Sequence, residues 1–409
     1  MLSYELLEKT SKVYGDSFYL INGEIIKNNY TELLCAFQKI YRNTRIAYSY
    51  KTNYIPKVCE LINNLGGDAE VVSEMELWLA KRIGIESSKI YYNGPYKKYE
   101  YLEESMLSGV HVNLDAEYEI SMVRSIASKY PEHQFEVGLR CNVDIGQEVP
   151  SRFGFDVSDG SLEKAMESIA EMSNVSVKGL HCHIPFRTIE SYKKRVERMN
   201  AILDMFLEQH LSYISMGGGY MGKIDDKMLD QFDFIPPSFD DYANVVAGFM
   251  RDRYQNRNDA PTLIIEPGSA LVANAMKYVT RVLNIKNARD TKIASLTGST
   301  FQMNPSVKNM NRALEVYHAP ENVETCEAFD NLYMAGYTCI ESDYLYKGYC
   351  GKLGTGDFVV FCNVGSYSVV MKPPFILPDI PIIEVMDDLS INVWKNGQKQ
   401  EDVFNLFLF

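Results

Sequence analysis

Between about residue 46 and residue 265 the chain repeats one pattern eight times: a short apolar, β-branched or aromatic run, then a segment with helix-like character. The runs are Arg45–Tyr50, Asp68–Val72, Ile90–Tyr92, Val110–Leu114, Phe135–Leu139, Val177–His181, Tyr213–Met216 and Thr262–Ile265. Continuous rather than alternating apolarity is the mark of parallel strands covered on both faces. The stretches Glu74–Ile83, Glu117–Tyr130, Ile189–His210 and Phe239–Tyr254 place apolar residues three and four apart and read as amphipathic helices. Ser73, with Glu76 three residues on, predicts a capping box at the start of the first of these. Strand then helix, repeated with right-handed crossovers, predicts an α/β chain built on a (β/α)8 TIM barrel.

A chain of 409 residues with 46% hydrophobic content is too long for one barrel, so two domains are expected. The barrel is placed at 22–270. The rest, 1–21 and 271–409, reads as a mainly β domain, with strand-like pieces at Lys277–Val282, Lys292–Leu296, Asp357–Cys362 and Ser368–Met371. Residues 17–21 are expected to return to it as an extra strand.

A net charge of −13 argues against a nucleic-acid partner, which needs a basic stripe. No apolar run approaches the roughly 20 residues that span a bilayer, and Met1 to Glu5 open no leader pattern, so a cytoplasmic protein without a membrane partner is expected. The eight cysteines include no C-x-x-C pair, and reduced thiols are the default.

Barrels of this kind build their sites from the loops after the strands. Here those loops offer Lys51 after the first run, Glu70 to Ser73 after the second, Arg140 and Arg152 after the fifth, and His181 and His183 after the sixth. Gly217-Gly218-Gly219 follows the seventh and Glu266-Pro267-Gly268 the eighth. A partly desolvated lysine suits attack on a carbonyl, although an exposed strand-end lysine has the same position. Consecutive glycines let backbone N–H groups approach a phosphate, or simply make a flexible turn. Glu266 would hold a protonated ring nitrogen, or else pair with an arginine. Lysine, phosphate cradle and carboxylate together are the requirements of pyridoxal phosphate. His181-Cys182-His183 invites a metal reading, but no further ligands stand in register and no metal is expected.

The chain resembles the fold-type III pyridoxal phosphate enzymes, the family of ornithine, diaminopimelate and carboxynorspermidine decarboxylases and alanine racemase. Tyr48-Ser49-Tyr50-Lys51-Thr52-Asn53 is similar to the family's Y-A-x-K-A-N, which implies that Lys51 is the lysine linked to the cofactor. Ala69-Glu70-Val71-Val72-Ser73 resembles A-D-V-V-S, with Glu70 at the aspartate position. Leu180-His181-Cys182-His183-Ile184 resembles L-H-x-H-I and implies that His183 stacks on the cofactor ring. Met216-Gly217-Gly218-Gly219-Tyr220 looks like the phosphate loop, and Glu266-Pro267-Gly268 like the E-P-G whose glutamate holds the pyridine nitrogen. Gly336-Tyr337-Thr338-Cys339 resembles G-P-x-C, with Asp343 at the acidic position beyond it, and Gly365-Ser366-Tyr367 resembles G-A-Y, whose tyrosine contacts phosphate. The resemblance implies decarboxylation of an amino acid, with Cys339 as the acid that protonates the product. It also implies a homodimer in which the β-rich domain contributes to the interface and to a shared active site.

The pattern breaks where substrate is read. Pro185-Phe186 replaces Gly-Ser after His183-Ile184, Ser269 replaces the arginine after E-P-G, and Ile340 stands where the family's decarboxylases place an acid, with Glu341 displaced by one. Losing a bidentate clamp and a charged acceptor implies a substrate other than plain diaminopimelate or ornithine. A bulkier amino acid or amino-acid conjugate from a specialised pathway, of siderophore or antibiotic type, fits better. Arg187, Ser269, Glu341 and Asp343 are candidate substrate contacts. The alternatives are a racemase of the same fold, which would carry arginine rather than Glu266 at the ring nitrogen, and a catalytically silent decarboxylase-like binding protein.

Overall fold

The computed structural model describes residues 2–206, 210–257, 259–306, 310–372 and 374–409. These form two compact units: Lys27–Met221 with Pro236–Leu271, and Met1–Ile26 with Gly222–Ile235 and Val272–Phe409. The segment 222–235, counted with the barrel in the sequence reading, groups with the second unit.

The first unit is a closed barrel of eight parallel strands: β1 (Thr44–Ser49), β2 (Asp68–Val71), β3 (Ile90–Tyr92), β4 (His111–Leu114), β5 (Phe135–Asn142), β6 (Val175–His181), β7 (Tyr213–Ser215) and β8 (Thr262–Ile265). The ring closes where β8 lies beside β1, Leu263 opposite Thr44 and Ile265 opposite Ile46. Ala47, Tyr91, Tyr213 and Ile264 pack together in the interior. Gly138 and Gly179 make room for the Tyr213 ring there, since a Cβ on Gly179 would lie 2.0 Å from it. Strand β5 runs to Asn142, so Arg140, placed in a loop by the sequence reading, is a strand residue paired with Asp115 at 3.0 Å.

Of the helices read from the pattern, Phe239–Tyr254 matches end for end, and Ile189–Met205 stops short of the expected His210; residues 207–209 lie outside the described residues. Ser73 caps its helix as predicted, its Oγ accepting from the Glu76 N–H at 3.2 Å. The return half of the box is shifted, because Glu76 Oε2 accepts from the Val72 N–H at 2.8 Å rather than from Ser73.

In the second unit, Phe18–Ile21 lies antiparallel to the long strand Met276–Ala288 and parallel to Ile382–Val385. Leu7, Phe18, Leu20, Val279, Phe358, Val360 and Ile383 form its core. Ser368–Met371 is a helical turn and not the expected strand. Tyr367 before it takes a left-handed backbone (φ 60°) that breaks any extended run, and Ser368 Oγ donates back to the Val364 carbonyl. No helix among the described residues is long and apolar enough to cross a membrane.

Candidate active site

At the end of β1 the chain tightens into a 3-10 turn, Tyr50–Thr52, which carries Lys51 over the end of β2. Lys51 Nζ lies 2.8 and 2.6 Å from the two carboxylate oxygens of Glu70, whose side chain is buried while the lysine stays one-third exposed. Ser49 Oγ also donates to Glu70. Glu70 therefore enters the site as the lysine's counter-ion.

Directly after β3, Asn93 Nδ2 donates to Glu70 Oε1 at 3.0 Å and to Glu266 Oε1 at 3.1 Å. Its Oδ1 accepts from Asn113 Nδ2 at 2.7 Å, and Asn113 Oδ1 accepts from the Tyr213 hydroxyl at 2.8 Å. One relay of neutral side chains from β4 and β7 thus fixes the amide that joins the two carboxylates.

Glu266, at the end of β8, is buried; Ser215 Oγ donates to its Oε1 at 2.7 Å, and His181 Nε2 lies 3.1 Å from its Oε2. Burial by itself would raise its pKa, but His181, Lys51 and Ser215 together outweigh burial and hold the carboxyl well below the usual range. The carboxylate stays ionised, and His181 supplies the proton between them.

His183 presents its ring at the mouth. Its Nδ1 accepts from the Gly218 N–H at 3.0 Å. Burial, reinforced by the nearby Lys51 and Arg140 charges, lowers its pKa well below the ordinary value, so the imidazole is neutral with its proton on Nε2.

The glycine triplet behaves differently from expectation. The Gly217 N–H is taken by Ser215 Oγ at 3.2 Å and that of Gly218 by His183, which leaves Gly219 as the one whose N–H has no partner among the described residues. Gly217 (φ 65°) and Gly218 are needed for close packing: a Cβ on Gly217 would meet the Cys182 carbonyl at 2.6 Å, and one on Gly218 the Glu266 carbonyl at 2.4 Å. Gly268 likewise clears Thr52, whose Oγ1 would lie 1.9 Å from an added Cβ. Ser269 follows, half-buried. Phe186 is exposed; Arg187 is half-buried, its carbonyl accepts from Tyr242, and its guanidinium has no hydrogen-bond or ion-pair partner among the described residues.

In the second unit, Cys339 and Glu341 are exposed on the loop from Gly336 to Asp343. Asp343, a candidate substrate contact from sequence, is buried, and its carboxylate accepts from Ser299 Oγ (3.0 Å), the Thr300 N–H (2.8 Å), Thr338 Oγ1 (2.6 Å) and the Thr338 N–H (3.2 Å). With its acceptors turned inward it clasps the loop, and it is withdrawn as a substrate contact. Tyr367 is partly exposed on its left-handed backbone.

Asn93, Asn113 and Ser215 escaped the sequence reading, as did the pairing of His181 with Glu266. The available signal was polarity inside apolar runs: Asn93 follows Ile90-Tyr91-Tyr92, and Ser215 sits between Ile214 and Met216. Among the described residues no group of three or more His, Cys, Asp or Glu is arranged to hold a metal. Within His181-Cys182-His183 the middle thiol lies in the core, its pKa pushed up to about 11 by burial.

The residues fit pyridoxal phosphate. An accessible amine, a buried ionised carboxylate, a neutral imidazole at the mouth and a glycine loop with one unengaged N–H meet its amine-reactive, cationic, aromatic and anionic parts.

Comparison with known proteins points the same way. The model of the family described as pyridoxal-dependent decarboxylase, pyridoxal binding domain, matches residues 28–273. Diaminopimelate decarboxylase of Methanocaldococcus jannaschii is 27% identical over 394 residues, covering 90% of this chain and 85% of that protein. L-glutamyl-[BtrI acyl-carrier protein] decarboxylase of Niallia circulans is 24% identical over 400 residues, 92% of this chain and 90% of that protein. The crystal structure of the M. jannaschii diaminopimelate decarboxylase superposes with a TM-score of 0.86 at 24% identity, covering 98% of this chain and 94% of that one, a likeness of fold. The family match spans the barrel that holds Lys51, His183 and Glu266, and the chain belongs to the pyridoxal-dependent decarboxylases.

Proposed function

We propose that this pyridoxal phosphate-dependent carboxy-lyase removes the α-carboxylate of an amino acid other than diaminopimelate or ornithine. A larger amino acid or an amino-acid conjugate of a specialised biosynthetic pathway is the substrate class. The observation that carries this reading is the remodelled mouth of the barrel: Phe186 exposed, Ser269 in the clamp position, and the Arg187 guanidinium without a partner among the described residues; in the second unit's own loop, Ile340 stands in the acceptor position. The Niallia circulans relative named for a glutamyl acyl-carrier protein supports a conjugate as one form of substrate.

Bound pyridoxal phosphate supplies the sink for the electron pair left by departing carbon dioxide. Around it, Glu70 with Ser49 holds Lys51 Nζ in place. Glu266, kept ionised, favours a protonated ring nitrogen, which suits decarboxylation better than racemisation. His183 offers a flat neutral face, and Tyr367 is assigned to the phosphate. Cys339, exposed on a loop clasped by Asp343, delivers the proton to the product carbon, and we assign it to the neighbouring subunit's site in a homodimer. Arg187 is assigned to an anionic group of the substrate.

The test is carbon dioxide release across a panel of diaminopimelate, ornithine, bulky amino acids and carrier-protein-bound amino acids. Turnover confined to the larger or conjugated substrates is expected; efficient turnover of diaminopimelate or ornithine overturns the substrate reading. Borohydride reduction followed by peptide mapping is expected to place the phosphopyridoxyl group on Lys51.

A further inference from the structure

We infer that Arg195, buried beneath the glycine triplet, is the positioning cation of the cofactor's phosphate, aiming the backbone N–H groups of Gly219 and Arg187 and supplying the positive charge that Ser269 does not. The inference rests on the reading of residues 217–219 as the phosphate's seat.

Arg195 lies on the helix Ile189–Met205 and is 0% exposed. It makes no ion pair among the described residues. Nη1 donates to the Gly218 carbonyl at 3.2 Å, Nη2 to the Phe186 carbonyl and to Ser191 Oγ at 3.4 Å, and the guanidinium lies 4.0 Å from the centre of the Tyr192 ring. Nε is buried without a partner. A guanidinium keeps its charge even when buried, and a buried charge without a counter-ion is costly. An anion placed nearby offsets that cost.

Geometry says where the anion belongs. In a planar trans peptide the C=O and the N–H point in opposite directions. The Gly218 carbonyl is drawn toward Arg195 and toward the Tyr192 hydroxyl, 3.0 Å away, so the Gly219 N–H of the same peptide faces away from the guanidinium. The Phe186 carbonyl is drawn the same way, which turns the Arg187 N–H outward. Neither N–H has a partner among the described residues. A side chain on Gly219 would stand 3.3 Å from the Tyr192 hydroxyl and 3.6 Å from Arg195 Nη2, so cation and loop are in immediate contact. The two loops that Arg195 ties together are the triplet and the segment where Pro185-Phe186 departs from the family pattern.

The experiment compares pyridoxal phosphate with pyridoxal, which lacks only the phosphate. Apo protein is titrated with each by absorbance and trapped at Lys51 with borohydride, for wild type, Arg195→Met, Arg195→Lys and Tyr192→Phe. Arg195→Met is expected to weaken pyridoxal phosphate at least about tenfold while leaving pyridoxal unchanged, with Arg195→Lys recovering part of the loss. Tyr192→Phe, which removes one hydrogen bond to the Gly218 carbonyl and keeps the cation, is expected to weaken pyridoxal phosphate about threefold and to remain informative if Arg195→Met does not fold. Equal losses for both compounds, or none for pyridoxal phosphate, overturn the inference and leave Arg195 a structural residue. Wild type that traps neither compound at Lys51 overturns the reading of the site itself, and this inference with it.

Discussion

His181 and Glu266 meet 3.1 Å apart, Nε2 to Oε2, with each side chain only 2% exposed. The pair turns a buried carboxylate into a stable fixed charge. Removing the imidazole by His181→Ala strands that charge and is expected to cost about 3–5 kcal/mol in urea unfolding. Adding Glu266→Gln to the same protein should restore part of it. Because the native carboxyl is held below its ordinary value of 4.5, its contribution is complete above that pH and drains away as the pH falls further. Wild type should therefore lose stability below pH 4 more steeply than Glu266→Gln.

Glu76 behaves in the opposite sense. Burial raises its pKa from 4.5 to about 7, against the Val72 N–H bond that lowers it and with Glu70 adding to the rise. The folded protein holds this proton more tightly than the unfolded chain. The contribution is present in full below pH 4.5 and is lost as the pH climbs through 7. Glu76→Gln, neutral at every pH, should gain stability relative to wild type between pH 5 and 8 in parallel melts.

Lys97 and Glu119 form a pair with both side chains 0% exposed, and Lys97 Nζ also donates to the carbonyls of Gly94 and Asn113. Lys97→Met alone should lose about 3–5 kcal/mol, since it leaves Glu119 buried without its counter-ion, held only by the Asp115 N–H and the Tyr118 hydroxyl. The double variant Lys97→Met/Glu119→Gln should recover a large part, and a coupling energy near zero in the cycle would contradict this account.

The Gly218 N–H bond to Nδ1 fixes the His183 tautomer. Nitrogen-15 histidine spectra at pH 6 should show a neutral ring protonated at Nε2. Its resonances should not move between pH 8 and 6, where an ordinary histidine titrates.

The barrel was legible because its strands are buried on both faces: Leu263-Ile264-Ile265 cannot face water on either side, and the pattern declares it. Lys51, His183 and Glu266 were legible because each directly follows or nearly follows such a run. What stayed hidden was pairing across the ring. Nothing local to Asn93 says that it bridges Glu70 and Glu266, since those contacts span 23 and 173 residues of chain. Ser368–Met371 was misread because Val369-Val370-Met371 is apolar and β-branched, while the left-handed turn at Tyr367 that overrides this preference leaves no mark in composition. Asp343 was misread because an acidic residue in a functional-looking loop gives no hint of which way its oxygens face.

The ring closes where the last strand meets the first, and the backbone seals that seam again with the Ser49 N–H on the Pro267 carbonyl at 3.1 Å. Lys51 and Glu266 stand on the two sides of it. During synthesis the lysine leaves the ribosome long before the carboxylate exists. A chain stalled short of closure therefore has the lysine without the carboxylate across the seam, and the two come to face one mouth only when the last strand docks on the first.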